Sequence, residues 1–178
     1  MRQFKDMHII GIDHGYGNLK TVNGIFPASV LPFDHEPIHA QDLLVYGGKY
    51  YVIGSGHREF TPDKVSNSDH YILTLAGIGQ ELWAHRMTNT RVYIAAGLPL
   101  TGVESQRERF RAYLLQNSHV DFTWHGMAYH VEIVGASVYA QGFSAIVPML
   151  RQFKGVNMLC DIGNGTMNIM TIQDRRAV

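Results

Sequence analysis

The sequence holds a single cysteine, carries no net charge and lacks any apolar run long enough to cross a bilayer. One thiol cannot form an internal disulfide, so a cysteine-stapled secreted scaffold is excluded. Cys160 lies in the apolar stretch VNMLCDIG and is expected to be a buried, unreactive thiol. With 15 basic and 15 acidic side chains, the chain has no electrostatic footprint of a nucleic-acid binder, and no direct nucleic-acid contact is expected. The first apolar run, MHIIGID, is far too short for a membrane span and no secretory leader precedes it, so no membrane association is expected and the expected compartment is the cytoplasm. Short-period repeats and low-complexity segments are also missing. The ten histidines are scattered, with no His-x-x-x-His helix and no cysteine at ligand spacing. His35 and His39 are four apart, but Pro37 between them opposes a helix that would align them. No structural metal is expected.

What is present is 178 residues, 46% hydrophobic and 17% charged, enough for one folded domain and at most a piece of another. The β-branched run HIIGID and the turn signal Asn23-Gly24 predict strands near 8–13, 17–22 and 25–31. LLVYGGKYYVIG predicts a second hairpin about Gly47-Gly48, and the polar segment Phe60 to Asn67 reads as a connection. Apolar residues at helical spacing predict a helix over 68–87, with Gly77 and Gly79 weakening it. RVYIAAGLP is a buried strand stopped by Gly97 and Pro99, and Ser105 to Leu115 is a second amphipathic helix. Its cluster Arg107, Glu108, Arg109 and Arg111 is expected to be a solvated face, whereas Trp83 and Trp124 are expected in the core. Two strands about His125-Gly126, a helix over 138–150 and a final strand pair, VNMLCDIG with TMNIMTIQ, complete the series. Strands first, then strands alternating with helices, predict an α/β domain with a mixed sheet.

Two turns carry the chemistry. In Asp13-His14-Gly15-Tyr16-Gly17-Asn18-Leu19-Lys20, placed between two strands, Gly15 and Gly17 allow backbone N–H groups to converge on an anion without a Cβ in the way. Asp13 at the strand end could hold a hydrated Mg²⁺, and Lys20 adds a point charge. The glycine spacing fits neither a Walker loop nor a dinucleotide fingerprint. Near the other end, Asp161-Ile162-Gly163-Asn164-Gly165-Thr166 repeats the design of strand, Asp, two glycines, hydroxyl and strand. Two such turns can close on one triphosphate from opposite sides.

These residues resemble the superfamily of actin, the heat-shock chaperone ATPases and the sugar kinases. Its first phosphate motif, Asp-x-Gly-x-x-x-x-Lys, is matched by Asp13, Gly15 and Lys20; its second, Asp-x-Gly-x-Gly-Thr, by Asp161, Gly163, Gly165 and Thr166. The family's connecting helix opens on a catalytic Gln or Glu, matched by Gln141 in VYAQGFSAI. That segment and IAAGLPLTGVESQRERFRAYLL look most like the prokaryotic plasmid-segregation actins of the ParM/StbA type. The resemblance implies an actin-like, ribonuclease H-like ATPase domain with a mixed five-stranded sheet and flanking helices. It implies ATP or GTP with Mg as cofactors, Asp13 and Asp161 holding the metal through water, and Gln141 with Asp161 acting on the attacking water. Asp13, Gly15, Tyr16, Gly17, Asn18, Lys20, Gly163, Asn164, Gly165 and Thr166 would bind the nucleotide. Self-association into filaments, a DNA-bound adaptor protein and a cytoskeletal role in plasmid segregation are implied as well. In such actins a variable small subdomain makes longitudinal contacts; it corresponds to about 32–66, with Tyr46, Tyr50 and Tyr51 as interface candidates.

The same resemblance implies an actin-like domain over 1–155, with 156–178 opening a second domain whose remainder, including the adenosine-binding segment, would lie beyond Val178. On that reading Met158, Leu159, Ile162, Ile169, Met170 and Ile172 lack most of their partners and the last hairpin is mobile, swapped or paired edge to edge. Residues 1–178 alone would then bind ATP poorly and hydrolyse it negligibly. A small-molecule kinase with the same nucleotide grip, and a scaffold that has lost turnover, are the alternative readings.

Overall fold

The computed structural model describes residues 1–56, 64–65, 68–163 and 167–177. The centre of the fold is a set of three parallel strands, β2 (Met7–His14), β8 (Asn89–Leu98) and β10 (Met127–Ala140), with β8 in the middle. They are in register through Ile10 opposite Ile94 and Ile133 opposite Val92. Their β-branched and aliphatic residues suit strands buried between other layers. Around them lie β1 (Arg2–Phe4), β3 (Asn18–Lys20), β4 (Ile25–Pro27), β5 (Val30–Phe33), β6 (Leu43–Tyr46), β7 (Lys49–Ile53) and β9 (His119–Trp124). The sheet runs β4-β3-β2-β8-β10-β9-β6-β7-β5, with β1 pairing with β2.

The mixed α/β class is as expected, but the sheet holds ten strands rather than five. The extra width arises because β6 pairs with β9 through Leu44 opposite Trp124, which joins the small β5-β6-β7 unit to the central strands. A separate sheet of β11 (Val156–Ile162), β12 (Met167–Gln173) and β13 (Arg176–Ala177) follows. Among the described residues, no helix is long and apolar enough to cross a membrane.

Helices α1 (Asp69–Ala84) and α2 (Leu100–Leu114) cover one face together, touching through the ring pairs Tyr71–Tyr113 and His70–Phe110. Most of α1 is buried, including Leu75, Ile78 and Leu82, which pack into the main core with Ile10, Ile12, Leu19, Phe110 and Trp124. Gly79 is the point of closest approach: a Cβ there would lie 2.8 Å from Trp124 Cγ and 3.1 Å from Phe122. The glycine that weakens the helix in isolation therefore lets it seat on the sheet.

Several elements differ from the sequence reading. Helix α2 starts at Leu100, directly after Pro99, rather than at Ser105. The stretch 138–150 is not one helix: β10 continues to Ala140, because its parallel pairing with β8 runs to Ala140 opposite Leu98. Only then come the short α3 (Phe143–Ile146) and a 3-10 turn over Val147–Gln152, where Pro148 lacks the N–H a continuing α-helix needs. Residues 25–31 split into β4 and β5, since Ala28 N–H turns back to the Gly17 carbonyl at 2.9 Å. Most of the segment read as a connection, Phe60 to Asn67, lies outside the described residues.

Trp124 is in the core, but Trp83 on the last turn of α1 is 48% exposed and leans its ring on His125. Cys160 is exposed rather than buried, because strand alternation puts it on the outer face of β11, opposite to Leu159. Tyr46, Tyr50 and Tyr51 are half-buried, and the Tyr46 hydroxyl accepts a hydrogen bond from Asn117 Nδ2 at 3.0 Å.

One buried carboxylate ties α1 to the β3–β4 turn. Glu81 accepts hydrogen bonds from Asn23 N–H at 2.7 Å, Asn23 Nδ2 at 3.0 Å and the Met1 amino group at 3.1 Å. Burial pushes its carboxyl up, but these hydrogen bonds outweigh burial and hold its pKa below the ordinary value. A depressed folded pKa means that the stabilisation is present above the unfolded value, about 4.3, and is lost as pH falls through the folded one. Glu81→Gln is expected to lower unfolding free energy by about 1–3 kcal/mol at pH 7 in urea titrations, with the gap to the parent narrowing as the pH falls below the unfolded value. Gly79→Ala is expected to cost about 1–3 kcal/mol by overpacking against Trp124, read as a lowered melting temperature.

Candidate nucleotide site

The three parallel strands end side by side, and their C-terminal ends build the site, the usual place for a ligand in an open α/β sheet. Asp13 at the end of β2 is in register with Gly97 of β8 and, on its other side, with Lys20 of β3. Gln141 follows the last residue of β10; its N–H donates to the Leu98 carbonyl at 2.8 Å and its Nε2 donates to Asp13 Oδ1 at 2.6 Å. Gly97 makes this junction possible, since a Cβ there would lie 2.9 Å from Gln141 Cγ and 3.4 Å from Asp13 Oδ1.

The first turn needs its glycine for the same steric reason. A Cβ on Gly15 would lie 2.6 Å from the Asn18 carbonyl oxygen, a clash that no flexible side chain could relieve. The second turn approaches from the separate sheet. Asp161 of β11 stands opposite Asn168 of β12 and against Gly142, whose φ of +76° and missing side chain admit it: a Cβ on Gly142 would lie 3.3 Å from Asp161 Oδ2. Phe143, Ile146, Leu150, Phe153, Leu159, Met170 and Ile172 form a second, smaller core beneath it.

These elements enclose a cleft of about 350 Å³ lined by Asp13, Gly15, Tyr16, Gly17, Asn18, Lys20, Gln141, Asp161, Ile162, Gly163 and Asn168. Every described residue expected at the site thus lines one space. Asn164, Gly165 and Thr166 lie outside the described residues. Gln141 does not open a long helix; it precedes Gly142, which caps the four-residue α3. Sequence reasoning missed Gly97, Gly142 and Asn168. Gly97 reads in the sequence only as a strand stop, Gly142 carries no signal beyond following Gln141, and Asn168 has a signal only once β11 and β12 are put in register.

The donor set fits a phosphate-bound magnesium ion better than a dedicated metal cage. Among the described residues no three His, Cys, Asp or Glu side chains gather to hold a metal. Two carboxylates facing one cleft that also carries Lys20 suit an ion that keeps most of its waters and shares phosphate oxygens.

The family model for the actin-like proteins' N-terminal domain matches residues 11–143. The chain belongs to the actin-like proteins. No curated protein matches it. Among solved structures it is similar to apo ParM of pSK41, with a TM-score of 0.77 at 16% identity over 98% of this chain and 64% of that one. It is also similar to Ta0583, an archaeal actin homologue in complex with ADP, with a TM-score of 0.74 at 20% identity over 97% of this chain and 58% of that one. A third is the AlfA filament bound to AMPPNP, with a TM-score of 0.68 at 13% identity over 97% of this chain and 67% of that one. The chain therefore spans 64% of the length of ParM and 58% of that of Ta0583.

Because the turn geometry depends on a missing side chain, Gly15→Ala is expected to open the first turn while leaving the fold intact. Amide exchange over residues 13–20 should rise about 10-fold or more, with that of β8 unchanged.

Proposed function

We propose that residues 1–178 carry the phosphate-gripping part of an actin-like nucleoside triphosphatase that assembles into filaments. The observation that carries this reading is the shared cleft: the first glycine turn, Gln141, and Asp161 with Gly163 of the second motif, separated by most of the sequence, line one space. The ADP and AMPPNP held by two similar structures support a nucleotide as its occupant, and the AlfA filament supports self-association. A cytoplasmic, prokaryotic role in plasmid segregation through a DNA-bound adaptor extends the likeness to ParM. The two separate sheets support a domain over 1–155 and the start of a second over 156–178.

In this reading the N–H groups of Gly15, Tyr16, Gly17 and Asn18, with Lys20, hold β- and γ-phosphate oxygens from one side. Gly163, Asn164, Gly165 and Thr166 hold them from the other. Asp13 and Asp161 would hold Mg²⁺ through water, and the ion supplies charge neutralisation for the phosphates. Gln141 Nε2 is engaged by Asp13, which fixes the amide plane and leaves Oε1 to accept a hydrogen bond from the attacking water. An amide is too weak a base to take the proton early, so its contribution is orientation, consistent with slow turnover.

Phosphate release and light scattering of the full-length protein with MgATP or MgGTP test this reading together. Triphosphate-dependent scattering is expected; its absence under conditions of clear hydrolysis would favour a kinase-like enzyme. Asp161→Ala should slow phosphate release about 100-fold or more, equivalent to ~2.7 kcal/mol. Gln141→Ala should slow it about 10–100-fold with nucleotide affinity within about 3-fold of the parent, and unchanged turnover would remove Gln141 from the mechanism.

A further inference from the structure

Lysine is rarely enclosed in a protein unless its ammonium is paired, because taking the charge out of water is costly. Lys64 is 1% exposed, and it lies not in the core of a helix but in the connection between β7 and α1, next to the first glycine turn. Its Nζ donates to the main-chain carbonyl of His14 and stands 5.4 Å from the centre of the Tyr16 ring. Both partners belong to the turn that lines the cleft, yet neither contact was foreseeable from the sequence.

The His14 carbonyl shares a peptide plane with the Gly15 N–H. This peptide is trans, so in its plane the C=O and the N–H point in opposite directions. Drawing the His14 oxygen towards Lys64 therefore turns the Gly15 N–H away from Lys64, on a residue that borders the cleft. A cation on the carbonyl also polarises the peptide and strengthens the N–H as a donor to an anion. The His14 side chain is fixed from the same direction. Thr74 Oγ1 donates its one proton to the His70 carbonyl at 2.6 Å, so at 2.8 Å it accepts from His14 Nε2, which must carry a proton. Main chain and side chain of His14 are thus both held, the first by Lys64 and the second by Thr74 of α1.

We propose that Lys64 is a positioning residue for the phosphate turn: it orients the His14–Gly15 peptide so that the Gly15 N–H faces the anion, and it parks the Tyr16 ring beside it. The inference deepens the nucleotide reading of this cleft and rests on it for the nature of the anion. Lys64 need not touch the ligand.

The test compares the parent with Lys64→Met, which keeps the buried stem but removes the donor and charge, and with Lys64→Arg, which restores both. Two readouts are taken: amide exchange without ligand, and MgATP and inorganic tripolyphosphate affinity in the full-length protein. Lys64→Met should speed exchange over residues 14–18 about 10-fold while β8 and β10 stay protected, and should weaken both ligands about 10-fold. Lys64→Arg should bring both readouts back towards the parent. Unchanged exchange over the turn in Lys64→Met, or loss of protection in β8 and β10 to the same degree, would overturn the proposal. If the parent itself binds neither ligand, the nucleotide reading falls, and the exchange measurement still decides the role of Lys64 alone.

Discussion

Everything at the candidate site depends on three parallel strands ending at the same level. Because Asp13 is level with Gly97, and Ala140 with Leu98, the first residue past β10 arrives beside the last acidic residue of β2. The Gln141–Asp13 hydrogen bond is the chemical expression of that register. A slip of one residue in either pairing would turn Asp13 or Gln141 to the opposite face, so the hydrophobic alternation that fixes the core also fixes the polar end of the sheet.

Local signals in the sequence were sufficient for the turns and for most strands. Glycine pairs, Asn23-Gly24 and β-branched runs mark places where the backbone has few alternatives, and the two Asp-Gly turns resemble the phosphate motifs of the actin superfamily. What the sequence concealed was decided by contacts between distant segments. Residues 138–140 have helical apolar spacing but form strand because β8 offers them a parallel edge. Cys160 and Trp83 sit in apolar stretches but on the wrong side of their elements, which only the register of β11 and the last turn of α1 determine. Tyr46 looked like an exposed interface residue until Asn117, 71 positions away, reached its hydroxyl.

Crowding calls for glycine at three places around the cleft, and at one of them the backbone conformation does too. Gly15 is crowded by its own turn, Gly97 by Asp13 and by Gln141 just past β10, and Gly142 by Asp161 in addition to its positive φ. The crowding at Gly97 means that the carboxylate and the amide are wedged against the C-terminal end of the central strand as well as hydrogen-bonded to each other. Such wedging limits the rotamers available to both groups before any ligand arrives, which is the form that preorganisation takes in a polar site.

The two carboxylates of the cleft stand on two different sheets. Asp13 stands on the main core, while Asp161 is carried by a hairpin seated on the small cluster of Ile146, Met170 and Ile172, with Val156, Met158, Ile162 and Ile169 bare on its other face. Leu100 of α2 and Ala140 of β10 close that cluster from the side of the main sheet. The spacing between the two carboxylates is therefore held by a handful of apolar side chains rather than by strand pairing, so a substitution at Ile146 or Ile172 acts on the cleft without touching its polar lining.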